Sequence, residues 1–300
     1  MNHKKKTMPS TAYPSFLESD IPPSSYEKAL VHIIPVGMEK SVSYGAGTAE
    51  GPGAILQASQ QLETFDGHSI PGETGIYTHP PVPCNGKTPH EDIALISSTV
   101  APVIRQESVP IILGGEHTVT LGPLRSFKDT GKKIGVIQFD AHADLRDSYE
   151  GDQLSHACVM RRIHEMGFPI MQIGIRSLSQ PEDIFRKKHN IPCLEAEAIY
   201  RKGIPDTVLP PGFPEKIYIT FDLDCLDPSI MPATGTPEPG GLNWYQALDL
   251  VNRVAEGRTV CGCDVVELAP APNMHGADFT AAKLVYAMIS VINRTRRSAT

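Results

Sequence analysis

Six residues of the kinds that bind divalent metal ions fall in three short segments of the chain: His117, Asp140, His142, Asp144, Asp222 and Asp224. Within two of these segments the candidate ligands are spaced by two residues, and an extended chain places residues with that spacing on one face. Carboxylates with two imidazoles, and no cysteine at ligand spacing, suit Mn²⁺ better than a thiolate zinc site. The residue types therefore predict a manganese centre.

Electrostatics predicts that more than one cation is bound. One pair of carboxylates about 4 Å apart repels by about 4 kcal/mol at an effective dielectric constant near 20. Two divalent cations would balance the charge of four such groups. The segments FDAHADL and FDLDCLD do not match an EF-hand calcium loop. The alternative is that Asp140, His142 and Asp144 only cap a helix and pair with surface cations.

Apolar, β-branched runs alternate with helical patterns along the chain. The predicted strands are Val31–Val36, Val109–Leu113, Ile134–Phe139, Ile170–Ile175, Lys216–Phe221 and Thr259–Val266. The predicted helices are Gly53–Thr64, Glu91–Gln106, Thr118–Lys128, Ser155–Met166, Trp244–Glu256 and Phe279–Asn293. This alternation predicts an α/β fold with a mostly parallel sheet. Each metal segment follows a predicted strand, at the edge where ligands bind in such sheets.

Composition is typical of a globular enzyme, with 300 residues, 40% hydrophobic residues and a net charge of −7. That charge argues against binding to nucleic acid, and no apolar run is long enough to predict a membrane span. The six cysteines are too sparse for a disulfide framework. Since MNHKKK is not followed by an apolar stretch, we expect a cytoplasmic location. We expect residues 1–25 to form a surface arm and residues 26–300 a single catalytic domain.

Six longer segments resemble the ureohydrolases, the family of arginase, agmatinase and formimidoylglutamase. They are SYGAGTAEGPGAILQAS (43–59), GGEHTVT (114–120), FDAHADLRDSYEG (139–151), SHACVMRRI (155–163), FDLDCLDPSIMPATGTPEPGG (221–241) and DVVELAP (264–270). The resemblance extends from about residue 32 to about residue 293, in the order of the family. The agmatinases are the most similar members, because DLRDSYEG is followed after three residues by SHA.

The resemblance implies a three-layer α/β/α fold around a central, mostly parallel eight-stranded sheet. It also implies two Mn²⁺ ions per chain. His117 and Asp144 would hold one ion, and His142 and Asp224 the other. The remaining pair of candidate ligands, Asp140 and Asp222, would bridge both ions. A homotrimer or homohexamer is implied as well.

The resemblance further implies hydrolysis of a guanidinium C–N bond by a metal-bridging hydroxide, which releases urea. Asp144 would accept the proton of the hydroxide, and His156 would transfer a proton. Glu267 would bind the guanidinium group, with a contact from Thr236. Alternatively, His156 is only a helix cap and Glu267 only a buried ion-pair partner. Glu116 is compatible with either a structural role or support of the neighbouring ligand.

The distal end of the substrate is less well specified. Asp147, Glu150 and Asp152 would attract an ammonium group and favour agmatine, a small cationic guanidino compound. Arg146 would instead favour a carboxylate, unless it pairs with a neighbouring acid. The alternative substrates are 4-guanidinobutyrate, aminopropylagmatine and arginine. Two further alternatives are a one-zinc deacetylase and a non-catalytic protein of the same fold, both disfavoured by the full ligand set.

Overall fold

One eight-stranded sheet lies at the centre of the part of the chain that the computed structural model describes, residues 13–297. Its strands are β1 Val31–Val36, β2 Ile76–Thr78, β3 Val109–Gly114, β4 Ile134–Phe139, β5 Ile170–Ile173, β6 Cys193–Leu194, β7 Lys216–Asp222 and β8 Thr259–Val266. Their order in the sheet is β2-β1-β3-β8-β7-β4-β5-β6, and every pairing is parallel. The structure thus confirms the parallel sheet predicted from the sequence.

The six predicted strands are all present, and the two that were missed are the edge strands β2 and β6. These have three and two residues, respectively, too few to show a periodic pattern. Strand β5 is shorter than predicted, because it ends at Ile173 and Gly174 has a φ of +93°. That left-handed conformation is accessible to glycine without a steric penalty.

Helices cover both faces of the sheet. They are α1 Gly51–Ser59, α2 Pro89–Arg105, α3 Leu121–Asp129, α4 Val159–Glu165, α5 Gln180–Lys188, α6 Ala196–Lys202, α7 Trp244–Ala255 and α8 His275–Arg297. The sequence prediction missed α5 and α6 and placed the start of α8 too late. Helix α5 begins with a capping box formed by Ser179 and Glu182, a local signal that its sequence does contain.

The buried side chains form two apolar clusters, one on each face of the sheet. Along β4, Ile137 and Phe139 belong to the cluster beneath α1, α6, α7 and α8, whereas Ile134 and Val136 belong to the cluster beneath α2, α3 and α4. A sheet buried on both faces explains why these strands read as continuous apolar runs rather than alternating ones. The result is the three-layer α/β/α arrangement.

The strand order brings the chemistry-bearing segments together. Strands β3, β8, β7 and β4 are consecutive neighbours in the sheet, although β7 and β8 come much later in the chain. From β3 the chain crosses to β4 and continues outward to β6, and it then reverses its direction of travel across the sheet, so that β7 and β8 fill the space between β3 and β4. Such a switch point opens a crevice at the carboxyl ends of the strands. The residues after these four strands line that crevice.

The expected division of the chain at residue 25 remains a prediction. Residues 1–12 of the predicted arm lie outside the described residues. Within the rest of the arm, Phe16 and Leu17 are buried in the apolar core, and the backbone N–H of Phe16 donates to Thr78 Oγ1 at 2.9 Å.

All six cysteines are free thiols. No helix within residues 13–297 is long and apolar enough to cross a membrane.

Candidate active site

His117 is the centre of the first group of candidate ligands. Its Nδ1 atom lies 3.0 Å from Asp144 Oδ2, 3.2 Å from Asp140 Oδ2 and 3.5 Å from Asp222 Oδ2. This nitrogen is buried and has no hydrogen-bond partner among the described residues. Burial opposes protonation of the ring, but the three carboxylates hold the pKa of His117 well above its usual value. A cation between these atoms would satisfy the nitrogen and the carboxylates together.

His142 is the centre of the second group. Its Nδ1 atom lies 2.9 Å from Asp224 Oδ2 and 3.7 Å from Asp140 Oδ1. Single donor atoms of His142, Asp140 and Asp224 lie within 4.8 Å of one another, as do those of His117, Asp140 and Asp144. Asp140 thus faces both groups, where a bridging ligand would stand. These donor sets of nitrogen and carboxylate oxygen fit two divalent cations.

The local backbone differs from the extended chain that the spacing predicted. Asp224 lies in a 3₁₀ turn, where its N–H donates to Asp222 Oδ1 at 2.9 Å. Asp144 adopts a left-handed conformation with a φ of +52°. The prediction of one extended face was therefore wrong in its geometry, because the Asp222 side chain caps the turn. The side chains of the candidate ligands nevertheless lie close together.

A chain of buried hydrogen bonds fixes the orientation of His117. Its Nε2 atom lies 2.8 Å from Thr220 Oγ1, and the Thr220 hydroxyl donates to Asp264 Oδ1 at 2.6 Å. The hydroxyl of Tyr218 donates to the other oxygen of Asp264. Because Thr220 gives its proton to Asp264, its oxygen accepts the Nε2 proton of His117. A cation that replaced the Nδ1 proton would then meet the Nδ1 lone pair, since the Nε2 proton stays on the side of Thr220. Sequence analysis quoted Asp264 within a motif but gave it no role.

Glu267 follows β8 and lies against His117. Its Oε1 atom accepts a hydrogen bond of 2.6 Å from the backbone N–H of His117, and its own N–H donates to the carbonyl of Gly115. Its φ is +66°, a conformation that costs a non-glycine residue about 1–3 kcal/mol. Burial raises the pKa of Glu267 to about 8. The carboxyl group lines a cavity of about 320 Å³ above the metal ligands.

His156 lines the same cavity from the start of the turn that precedes α4. Its Nε2 atom lies 2.9 Å from Ser43 Oγ, and its Nδ1 atom lies 3.2 Å from Ser41 Oγ and 3.3 Å from Ser155 Oγ. Burial, together with the positive charges of His117 and His142, lowers the pKa of His156 to about 4. The ring is therefore neutral near pH 7, with one nitrogen available to accept a proton.

Only some of the residues predicted to contact the substrate line the cavity. Thr236 lines the cavity, and so does Arg146, whose Nε lies 3.8 Å from Glu182 Oε2. Asp147 is not among the lining residues; it is exposed and lies 3.1 Å from Arg162. The structure therefore does not support Asp147 as a substrate contact, because neighbouring arginines pair with it outside the cavity. Tyr149 and Glu182, for which the sequence motifs predicted no role, also line the cavity and lie beside Arg146; these three residues are called the distal wall below.

Two further residues support the site. The Arg176 guanidinium donates to the carbonyls of Asp224 and Glu238, each at 2.7 Å, and thus joins the two ends of the segment that carries Thr236. Glu116, whose role the sequence left open, is buried and accepts the backbone N–H groups of Lys40 and Ser41. Glu116 thus holds the neighbouring segment at Lys40 and Ser41.

The fold and the site define a member of the arginase family. A model of that family matches residues 29–290, and the chain belongs to it. Over 292 residues the chain is 37% identical to the N(1)-aminopropylagmatine ureohydrolase of Synechocystis sp., with 94% of this chain and 95% of that protein covered. It is 32% identical over 286 residues to the agmatinase of Pyrococcus horikoshii, with 94% and 98% covered.

Comparison with solved structures identifies the same fold. The agmatine ureohydrolase of Thermoplasma volcanium superposes with a TM-score of 0.82 and 26% identity, and the match covers 97% of this chain and 98% of that one. The chain is therefore an enzyme of the ureohydrolase type, as the sequence motifs indicated. Neither a deacetylase nor a non-catalytic protein is supported.

Proposed function

We propose that this enzyme hydrolyses agmatine to putrescine and urea with two Mn²⁺ ions bound at the six candidate ligands. The observation that carries the proposal is the convergence of His117 and His142 with a shared carboxylate, Asp140, beneath a cavity lined by Glu267. Bound there, the two cations would lower the pKa of water and supply a nucleophile near neutral pH.

The protein's own residues would orient the substrate. A carboxylate accepts two N–H groups of a guanidinium at once, which fixes both charge and direction. Glu267 presents such a group, held in place by the backbone of His117. The Thr236 hydroxyl is available on the same cavity wall. The guanidinium carbon would then face the carboxylates of Asp144 and Asp222.

Proton transfer completes the reaction. Asp144 lines the cavity, and its carboxylate lies beside the place where the metal-activated water would be held, so it would accept the proton of that nucleophile. The departing amine needs a proton, and His156 lines the cavity within reach of the bound substrate. We assign Asp144 as proton acceptor and His156 as the group that carries a proton between solvent and the amine.

Aminopropylagmatine is the second candidate substrate. The Synechocystis relative, which matches almost end to end, carries that name. In the distal wall the Arg146 guanidinium carbon lies 5.4 Å from the centre of the Tyr149 ring, and Arg146 Nε lies 3.8 Å from Glu182 Oε2. The longer chain of aminopropylagmatine would extend toward this wall.

The test is urea release by Mn²⁺-loaded protein from agmatine, aminopropylagmatine, arginine and 4-guanidinobutyrate, compared by kcat/KM. A preference for agmatine supports the first proposal, and a preference for aminopropylagmatine supports the second. A preference for guanidinobutyrate would make Arg146 the selecting residue and would overturn both. The Asp222→Asn variant, expected to lose bound metal and nearly all activity, is the matched control for metal dependence.

A further inference from the structure

A loop on one side of the cavity, residues 39–47, carries groups that no part of the proposed reaction uses. Val42, Ser43 and Gly45 line the cavity together with four of the candidate metal ligands. The segment has no helix or strand of its own between β1 and the turn at Thr48–Glu50. Its conformation must therefore be fixed by contacts from elsewhere in the protein.

Two carboxylates hold the ends of this loop. Glu116 Oε2 accepts the backbone N–H groups of Lys40 and Ser41, each at 2.6 Å. The two oxygens of Glu39 accept the N–H groups of Gly47 at 3.0 Å and Ala49 at 2.7 Å. Hydrogen bonds to a charged acceptor are short and about twice as strong as neutral ones. The loop is thereby held at both ends, and its first anchor is the residue before the ligand His117.

The same loop holds the ring of His156 from both sides. Ser41 Oγ lies 3.2 Å from Nδ1 and also accepts the backbone N–H of His156 at 3.0 Å. Ser43 Oγ lies 2.9 Å from Nε2. Ser155 is a second neighbour of Nδ1, so Ser43 is the sharper probe of the two loop serines. A hydroxyl can donate or accept, and the two serines can therefore match either neutral tautomer without movement of the ring.

We propose that Ser41 and Ser43 are positioning residues for His156, held in place by Glu116. They hold the imidazole at the cavity while one ring nitrogen takes up a proton and the other releases one. The inference rests on the proton-transfer role proposed for His156. It assigns Glu116 a function that links the metal-binding segment to the proton-transfer group.

Kinetics of Ser43→Ala, Ser41→Ala and the double variant provide the first arm of the test. A misplaced catalytic group costs about ten- to a hundred-fold in rate, so kcat should fall by that factor with metal content unchanged and KM little altered. His156→Asn sets the limit for complete loss. The control is Tyr44→Phe, which removes a hydroxyl from the same loop at a side chain that is 88% exposed.

Nitrogen-15 NMR of the histidine rings provides the second arm, with His156 assigned by its loss in His156→Asn. We expect Ser43→Ala to shift the ring resonances of His156 and to raise its pKa, because a released ring is better hydrated. A kcat within twofold of wild type together with unchanged His156 resonances in the double variant would overturn the proposal. Should the wild-type protein release no urea from any guanidino compound, the proposed function fails, and the NMR arm still decides whether the serines position the ring.

Discussion

Strained backbone marks the two carboxylates on which the chemistry depends most. Asp144 and Glu267 both adopt left-handed conformations, which are rare for residues other than glycine. Such strain persists only where the surroundings enforce it. At Glu267 the enforcing contacts are the hydrogen bonds to Gly115 and His117 on the neighbouring strand end. The packing of the fold offsets the free-energy cost of this strained conformation, and the Glu267 side chain thereby lines the cavity.

For Glu267 the expected result of substitution follows from charge. Glu267→Gln keeps an oxygen for the N–H of His117 but cannot ionise, whereas the positive charge of a bound guanidinium would lower the pKa of Glu267 and favour its carboxylate form. We expect unchanged metal content and a kcat/KM lower by roughly a hundred-fold, since a charge-assisted hydrogen bond contributes about 1.5–3 kcal/mol. Metal analysis and steady-state kinetics check this. A metal-loaded variant with wild-type kcat/KM would show that the guanidinium binds elsewhere.

A second prediction concerns Thr220, which joins His117 to Asp264 by hydrogen bonds. Thr220→Val keeps the shape of the side chain but removes the hydroxyl between His117 and Asp264. We expect Mn²⁺ to bind about ten- to a hundred-fold more weakly, as when other outer partners of metal-binding histidines are lost. Titration calorimetry measures it, with Thr220→Ser as the control that keeps the hydroxyl. Equal affinity in Val and Ser variants would contradict the role of the chain.

At the scale of elements, the site is made by four strand ends and by the segment that returns after β7. Arg176 holds that segment through five backbone carbonyls, those of Asp224, Cys225, Leu226, Glu238 and Pro239, and also donates to the carbonyl of Gly174. A planar guanidinium satisfies several carbonyls at fixed angles, which an ammonium group cannot do. One side chain thus sets the position of both the ligand Asp224 and the cavity residue Thr236.

Arg176→Lys is therefore expected to be far from conservative. The charge remains, but the return segment loses most of its anchors, and we expect kcat/KM to fall by about ten-fold or more. Mn²⁺ titration should show weaker binding of one of two ions. Arg253→Lys is the matched control, because Arg253 also binds a backbone carbonyl, that of Pro205, but far from the site. A similar loss in both variants would indicate a general effect on stability.

At the scale of the whole molecule, a histidine pair on β1 and after β2 links stability to pH. His32 Nδ1 lies 2.9 Å from His79 Nε2, and the rings of Tyr26 and Tyr77 pack around them. Gln106 contacts the other nitrogen of His32. Burial and the neighbouring His32 lower the pKa of His79 to about 4, from an ordinary value of 6.5. Within residues 13–297 neither histidine forms an ion pair with a carboxylate, and burial lowers the pKa of both, so the pair is neutral in the folded protein near pH 7.

Because His79 is neutral in the folded protein, we expect acid to destabilise the fold. Between pH 6.5 and about pH 4 the unfolded chain binds a proton at His79 that the folded chain does not, so the free energy of unfolding should decrease as the pH falls through this range. Urea unfolding at several pH values measures it. His79→Gln should flatten this part of the profile, whereas His68→Gln, at an exposed position, should not. An equal slope in both variants would contradict the assignment.

Long central strands were the easiest elements to predict. Strand β1 and strand β4 each have six buried residues, and their predicted bounds agree with the structure. Strand β6, with two residues, and the helix α5, with few apolar residues, carried too weak a pattern. Pairing with a neighbour, rather than local preference, makes such a strand. The signal for it lies in another part of the chain.

The candidate chemistry follows from residue types alone, because these decide which atoms can bind a cation or a guanidinium. His117, Asp140, Glu267 and their companions were identified as candidates without any coordinates. Tertiary structure alone decided which candidates meet. It joined Thr220 and Asp264 to His117, brought Ser43 to His156 and paired Asp147 with Arg162 outside the cavity. The physical reason is that these contacts join residues that are far apart in sequence or depend on side-chain direction, and both are set by strand order and packing.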